Sequence, residues 1–160
     1  MRIGSGYDIH PLKAGRDLII GGVRIEHPSG LDGHSDADVL THAVIDALLG
    51  AAALGNIGEH FPADDPRYKD ASSLDLLTAA AAVVKKAGYR VINVDSTVIA
   101  EEPRLQPHLR AMRSNLAQRL GVVQDVVSVK ATSPEGLGAL GHRSGIAAQA
   151  VAMIDGGALT

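Results

Sequence analysis

The stretch Gly6-Tyr7-Asp8-Ile9-His10-Pro11 sets a carboxylate and an imidazole two residues apart. In an extended chain alternate side chains share a face, so Asp8 and His10 point the same way. Such a pair is either the solvated side of a strand or two thirds of a metal site, and a third donor elsewhere decides. His42 is the candidate. It sits mid-helix in SDADVLTHAVIDALLGAAALG, where Asp38, His42 and Asp46 recur at i, i+4 and i+8 near one face. That stripe is either the helix's solvated side or a ligand whose second ring nitrogen is oriented by Asp46 or Asp38. Asp8, His10 and His42 would make a two-histidine, one-carboxylate set, which suits zinc and leaves a position open for substrate.

A second group surrounds this one. His34 stands just before the predicted helix, whose unpaired N–H groups and positive dipole end favour an anion; alone it reads equally as a loop histidine. Lys130, Thr132 and Ser133 are either an ordinary strand end with turn residues or, with Glu135, a phosphate and divalent-metal site. His27, His60 and His108 read as loop or helix-surface histidines.

Composition narrows the classes. The 160 residues are one domain's worth and 46% hydrophobic, which fits a globular chain. Aromatics are 2%, with Phe61 the single phenylalanine and no tryptophan, so the core is Val, Ile, Leu and Ala. Nucleic-acid binding by aromatic stacking is therefore not expected, and a net charge of −3 argues against a general phosphate-backbone binder. Without cysteine, any zinc must be held by histidine and carboxylate. The chain opens on a strand-like MRIGSGYDIH, with no leader pattern and no apolar run of membrane-spanning length, so a cytoplasmic protein is expected.

The elements that must position these residues follow from pattern. Residues 1–9 read as a strand entering a loop. Leu18–Ile20 and Val23–Ile25 flank Gly21-Gly22, a hairpin signal. A loop from His27 to His34 precedes a helix over 36–54, with Ser35 and Asp38 resembling a capping box and Gly55 as its stop. Residues 56–71 carry no period and two prolines, a loop long enough to have a role. A helix over Ser73–Ala87, a strand over 90–100, a helix opened by Pro107 and ending before Gly121, and strands near 125–131 and 146–154 complete the chain. This order predicts an α+β sandwich with one helix-covered sheet. The other sheet face must also be buried, and the hydrophobic runs VINVDSTVIA and SGIAAQAVAMI predict subunit contact there.

Taken together, RIGSGYDIH, IIGGVRI, GHSDADVLTHAVIDALLGAAALGNIG, FPADDPRYK, NVDSTVIAEEPRLQPH and VSVKATSPEGLG resemble the 2-C-methyl-D-erythritol 2,4-cyclodiphosphate synthase family nearly end to end. The combination of HSDADVLTHA with the early DIH is highly specific to it. The resemblance implies zinc at Asp8, His10 and His42, and transition-state stabilisation by His34 and Ser133. It places magnesium or manganese at Glu135, and Ser35 in the erythritol-phosphate part of the site. Residues Ala100, Glu101, Glu102, Pro103, Arg104 and Leu105, with Gln106, would grip cytosine. Asn56, Ile57 and Gly58, and the run Phe61, Pro62, Ala63, Asp64 and Asp65, would hold ribose and erythritol. Lys130, Thr132 and Pro134 would adjoin the phosphates. It also implies a homotrimer with mixed sheets around a three-fold axis and active sites between subunits. The implied reaction is metal-assisted intramolecular phosphoryl transfer on 4-diphosphocytidyl-2-C-methyl-D-erythritol 2-phosphate, releasing CMP.

Some positions depart from the family pattern. Asn56 replaces an aspartate, Ser133-Pro134 a Thr-Thr pair, and Arg104 a lysine. Ala139 and His142 replace the Phe and Arg that in some members line an axial cavity for an isoprenoid diphosphate, so such a ligand is not expected to bind here in the same way, although Arg143 could compensate. Two rival readings stand beside the synthase: a metal-dependent hydrolase of a nucleoside diphosphate compound, and a non-catalytic trimeric cytidine-nucleotide-binding protein.

Overall fold

A computed structural model of the chain describes residues 1–156. Strand β1 (Arg2–Ala14) runs well past residue 9 and through Pro11. The missing N–H is tolerated because the Pro11 carbonyl still accepts from Asp32 N (2.9 Å) and Leu12 N still donates to the Ser144 carbonyl (3.0 Å). Strands β2 (Leu18–Ile20) and β3 (Val23–Ile25) form the expected hairpin, with Gly21 and Gly22 both at positive φ as a tight two-residue turn requires. Within the stretch expected to be loop, β4 (Ser29–Leu31) pairs with the end of β1.

Helix α1 (Val39–Ala52) begins later than expected because Asp38, not Ser35, is its cap. The Asp38 carboxylate accepts from Thr41 N (3.0 Å) and Thr41 Oγ1 (2.7 Å), and also from Gly21 N (2.8 Å) and Gly22 N (2.7 Å). One buried side chain thus pins the hairpin tip to the helix start. The expected loop 56–71 contains the short helix α2 (Ile57–His60) and a 3₁₀ turn at Pro66–Tyr68. Then follow α3 (Ser73–Lys86), β5 (Tyr89–Ile99), α4 (Leu109–Leu120), β6 (Val127–Thr132), the short α5 (Gly138–Gly141) and β7 (Gly145–Gly156). Pro107 lies in a 3₁₀ turn just ahead of α4 and does not open that helix itself.

The architecture is α+β, as read from the element order. The five-stranded sheet has the order β4-β1-β7-β5-β6, mixed because β5 and β6 are parallel while the other pairs are antiparallel. Helix α1 is buried almost all round, lying on β1 and β7 with α3 against its other side. Its seat is made of small residues: Gly4 pairs with Ala152, Gly6 with Ala150 and Asp8 with Ala148. A Cβ on Gly4 would lie 2.2 Å from the Ala47 carbonyl oxygen, and one on Gly6 2.0 Å from that of Ala43. The same even-numbered face of β1 continues to Asp8 and His10, which therefore project beside the first turn of α1, where His42 stands.

The opposite face of β1 is open. Ile3 (67% exposed), Tyr7 (56%), Ile9 (49%) and Val151 of β7 (39%) form an uncovered apolar surface. Among the described residues no helix is long and apolar enough to cross a membrane.

Replacing Gly6 with alanine is expected to cost about 3 kcal/mol or more, because overpacking costs about 1–3 kcal/mol where neighbours can yield and here the obstacle is a backbone carbonyl. Urea unfolding midpoints measure this; an unchanged midpoint would show that α1 can lift without loss.

Candidate active site

Two elements converge on the metal-binding candidates. Strand β1 supplies Asp8 and His10, and the first turn of α1 supplies His42. Asp8 Oδ2 lies 2.9 Å from His10 Nε2 and 3.0 Å from His42 Nδ1, and those two nitrogens are 3.3 Å apart. Donors about 2.0–2.1 Å from a tetrahedral zinc stand about 3.3 Å from one another, so the triangle and its donor chemistry fit a divalent ion. The outer nitrogens are also held: His10 Nδ1–H donates to the Asp32 carbonyl (3.0 Å), while His42 Nε2 faces Ser73 Oγ (2.8 Å) and Ser35 Oγ (3.2 Å).

The electrostatics match three groups held close together. Burial works to raise the Asp8 carboxyl, but hydrogen bonds and charge from His10 and His42 prevail and hold it well below the usual carboxylate range. Burial likewise opposes charge on His10, yet Asp8 and the Asp32 carbonyl raise its pKa above the ordinary histidine value. Asp46 is raised, chiefly by burial.

The expectation that Asp38 or Asp46 orients His42 is not met. Asp38 is spent on the hairpin tip and the helix cap, and Asp46 accepts from Ile57 N (2.7 Å), anchoring α2. The ring partners are Ser73, on the first turn of α3, and Ser35. Ser73 was legible only as a helix start, and no spacing in the sequence connects it with His42.

These donors open into a cavity of about 230 Å³ lined also by His34, Ser35, Ile57, Gly58, Phe61 and Ala63, with Tyr68 and Leu76 as residues the sequence did not single out. His34 Nε2–H donates to the Asp65 carbonyl (3.2 Å), and the His34 carbonyl accepts from Asp70 N (2.9 Å), so the loop before α1 is stitched to the segment after α2. Asn56 caps α2 through its amide oxygen and donates to Glu59 Oε1. The Asp65 carboxylate pairs with Arg67, and Pro62 and Asp64 belong to the same segment.

A separate cavity of about 260 Å³ is lined by Ala100, Glu101, Pro103, Arg104, Leu105, Gln106, Thr132 and Ser133, and it shares no lining residue with the first. Ser133 Oγ–H donates to Glu101 Oε2 (2.9 Å) and accepts from Glu135 N (2.9 Å), which ties the β6–α5 turn, Pro134 included, to the 100–106 loop. Glu135 is exposed at positive φ, a conformation uncommon for a non-glycine residue. Glu102 faces Arg143 (3.3 Å) and His27 (3.7 Å); Ala139 lies in α5, and His142 is the residue that ends it. Lys130 lines neither cavity; its ammonium is bonded to Asp95 (2.6 Å). A larger cavity, about 420 Å³ between α3, α4 and the start of β5, contains none of the predicted site residues. Its polar lining includes Lys85, Arg90 and Arg119, and the two arginines pair with Asp155 and Asp75.

Comparison with known proteins finds relatives over nearly the whole chain. The profile of the YgbB family matches residues 1–155. A 2-C-methyl-D-erythritol 2,4-cyclodiphosphate synthase from Syntrophomonas wolfei is 59% identical over 155 residues, covering 97% of this chain and 99% of that protein. The bifunctional IspDF from Campylobacter jejuni superposes with a TM-score of 0.94 at 40% identity, over 98% of this chain and 42% of that longer one. The CDP complex of IspF from Plasmodium falciparum gives a TM-score of 0.85 at 31% identity, over 98% of this chain and 97% of that one. Fold, donor cluster and nearly full-length sequence agreement coincide, and the chain belongs to the YgbB family.

Proposed function

We infer that the chain is a 2-C-methyl-D-erythritol 2,4-cyclodiphosphate synthase, converting 4-diphosphocytidyl-2-C-methyl-D-erythritol 2-phosphate to the cyclic diphosphate and CMP in the non-mevalonate route to isoprenoid precursors. The Asp8, His10 and His42 triangle at the start of α1 carries this reading, beside the family membership. One oxygen of the 2-phosphate forms a bond to the β-phosphorus, and the bond from that phosphorus to the CMP oxygen breaks. A phosphate monoester with a second pKa of about 6 is mostly ionised at neutral pH, and CMP leaves as an anion, so neither a strong base nor a strong acid is needed. The task is to align two repelling anions and to neutralise charge as the bond shifts.

Asp8, His10 and His42 would hold zinc, and Glu135 magnesium or manganese with the substrate diphosphate. Such ions supply Lewis-acid charge neutralisation and orient phosphate oxygens. His34 and Ser133 hydrogen-bond the transferring phosphoryl group. The 100–106 loop binds cytosine, and Ser35, Asn56–Gly58 and Phe61–Asp65 bind the sugar and erythritol portions. Because His34 and Ser133 line different cavities, a working site takes the metal cavity from one copy and the cytosine cavity from its neighbour. A homotrimer in the cytoplasm, with the open apolar faces of the sheets turned inward, meets that requirement and buries Ile3, Tyr7, Ile9 and Val151.

Phosphorus NMR of the metal-replete protein with this substrate is expected to show cyclic diphosphate and CMP, with turnover down about a hundredfold or more in His42→Ala, since even outer-shell partners of metal ligands are worth 10–100-fold. A linear phosphate product would instead establish a hydrolase, and bound CMP without turnover a binding protein. Zinc affinity should fall with acidity. His10 must lose its proton to bind metal and holds it to a higher pH than an ordinary histidine, so affinity drops about tenfold per pH unit once pH is below that raised pKa. Titration calorimetry between pH 5.5 and 8 measures the slope, and a flat profile would remove His10 from the ligand set. Sedimentation equilibrium should give three times the mass of one chain; a monomer would refute the shared site.

A further inference from the structure

Beside the three proposed ligands stands a tightly held polar group, Ser73. It is fully buried at the first turn of α3. Its hydroxyl makes a short hydrogen bond to Asp36 Oδ1, and its backbone N–H donates to Asp36 Oδ2 (3.0 Å). An ionised carboxylate only accepts, so the single Ser73 proton is committed to Asp36. Toward His42, 2.8 Å away, the same oxygen can therefore only accept. The bond exists only if His42 carries hydrogen on Nε2, which leaves the Nδ1 lone pair aimed at Asp8 and His10.

Ser35 agrees with this polarity. Its oxygen already accepts from Ala37 N (3.1 Å), and it lies 3.2 Å from His42 Nε2 and 3.5 Å from Ser73 Oγ. With hydrogen on Nε2, the ring can only donate to Ser35, whose oxygen keeps a second lone pair to accept it.

We propose that Asp36 and Ser73 form a directional hydrogen-bond relay that fixes the His42 tautomer, with Ser73 as a positioning residue for the metal site. The proposal rests on the metal-site reading given above. The relay differs from a carboxylate bonded directly to the ring: the hydroxyl passes on the orientation while keeping the negative charge one group away. It also joins α3 to the site, so a helix with no ligand of its own sets the orientation of one.

The test uses full-length protein, wild type against Ser73→Ala and Asp36→Asn. Zinc affinity is read by chelator competition, and ring protonation by ¹⁵N-histidine NMR of the zinc-loaded proteins. Wild type should show His42 with metal on Nδ1 and a slowly exchanging proton on Nε2. Ser73→Ala should bind zinc about tenfold or more weakly, with that proton exchanging freely. Asp36→Asn, which keeps the hydroxyl but lets its proton turn toward the ring, should weaken zinc in the same direction and serves if Ser73→Ala fails to fold. Wild-type affinity and slow exchange in the folded variants would overturn the relay while leaving the metal site intact. A wild type that binds no zinc would overturn both.

Discussion

At Gly4 and Gly6 the backbone of β1 lies so near that of α1 that a single methyl group on either would strike a helix carbonyl. This contact fixes how high the helix rides on the sheet. Because a strand advances about 3.3 Å per residue, Asp8 and His10 fall just beyond the contact, level with the first turn of the helix. The low aromatic content takes its meaning here. Alanines at 43, 47 and 51 meet Gly4 and Gly6, which pair with alanines of β7, and bulkier side chains at this seat would prop the layers apart and carry His42 away from its partners. A core of small and branched aliphatic residues is thus a geometric condition of the site as well as a source of stability.

Around the helix start, carboxylates serve mainly as structural acceptors. Asp38 gathers four donors from the hairpin and the helix, Asp46 holds α2, and Asp36 holds α3. Among the described residues every buried side-chain nitrogen and oxygen has a partner. The acidic character of SDADVLTHAVID therefore comes from carboxylates with distinct tasks, and in this cluster only Asp8, from another element, points at both histidines.

Much of this could be read from the chain. Period-two alternation at Asp8 and His10 points to a shared face, the Gly-Gly turn marks the hairpin, and motifs such as HSDADVLTHA carry the resemblance to the family and its reaction. What could not be read was decided by tertiary contact. Asp38 and Asp46 sit at helical spacing from His42, but spacing reports only which face a side chain occupies, and other backbone donors on that face claimed both. Ser73 lies 31 positions from His42 and meets it only because α3 packs on α1. The strand's passage through Pro11 was also hidden, since proline is a local stop signal that neighbouring carbonyls and N–H groups override.

The two faces of β1 have different freedom to change over evolutionary time. Positions 4 and 6 admit no side chain, and 8 and 10 belong to the donor cluster, so substitution on that face must be matched by movement of a whole helix or by loss of chemistry. Positions 3, 5, 7 and 9 touch neither. Alternate residues of this strand therefore answer to different partners: the helix and the donor cluster on one face, and on the other the neighbouring copies that the proposed trimer would set against Ile3, Tyr7 and Ile9.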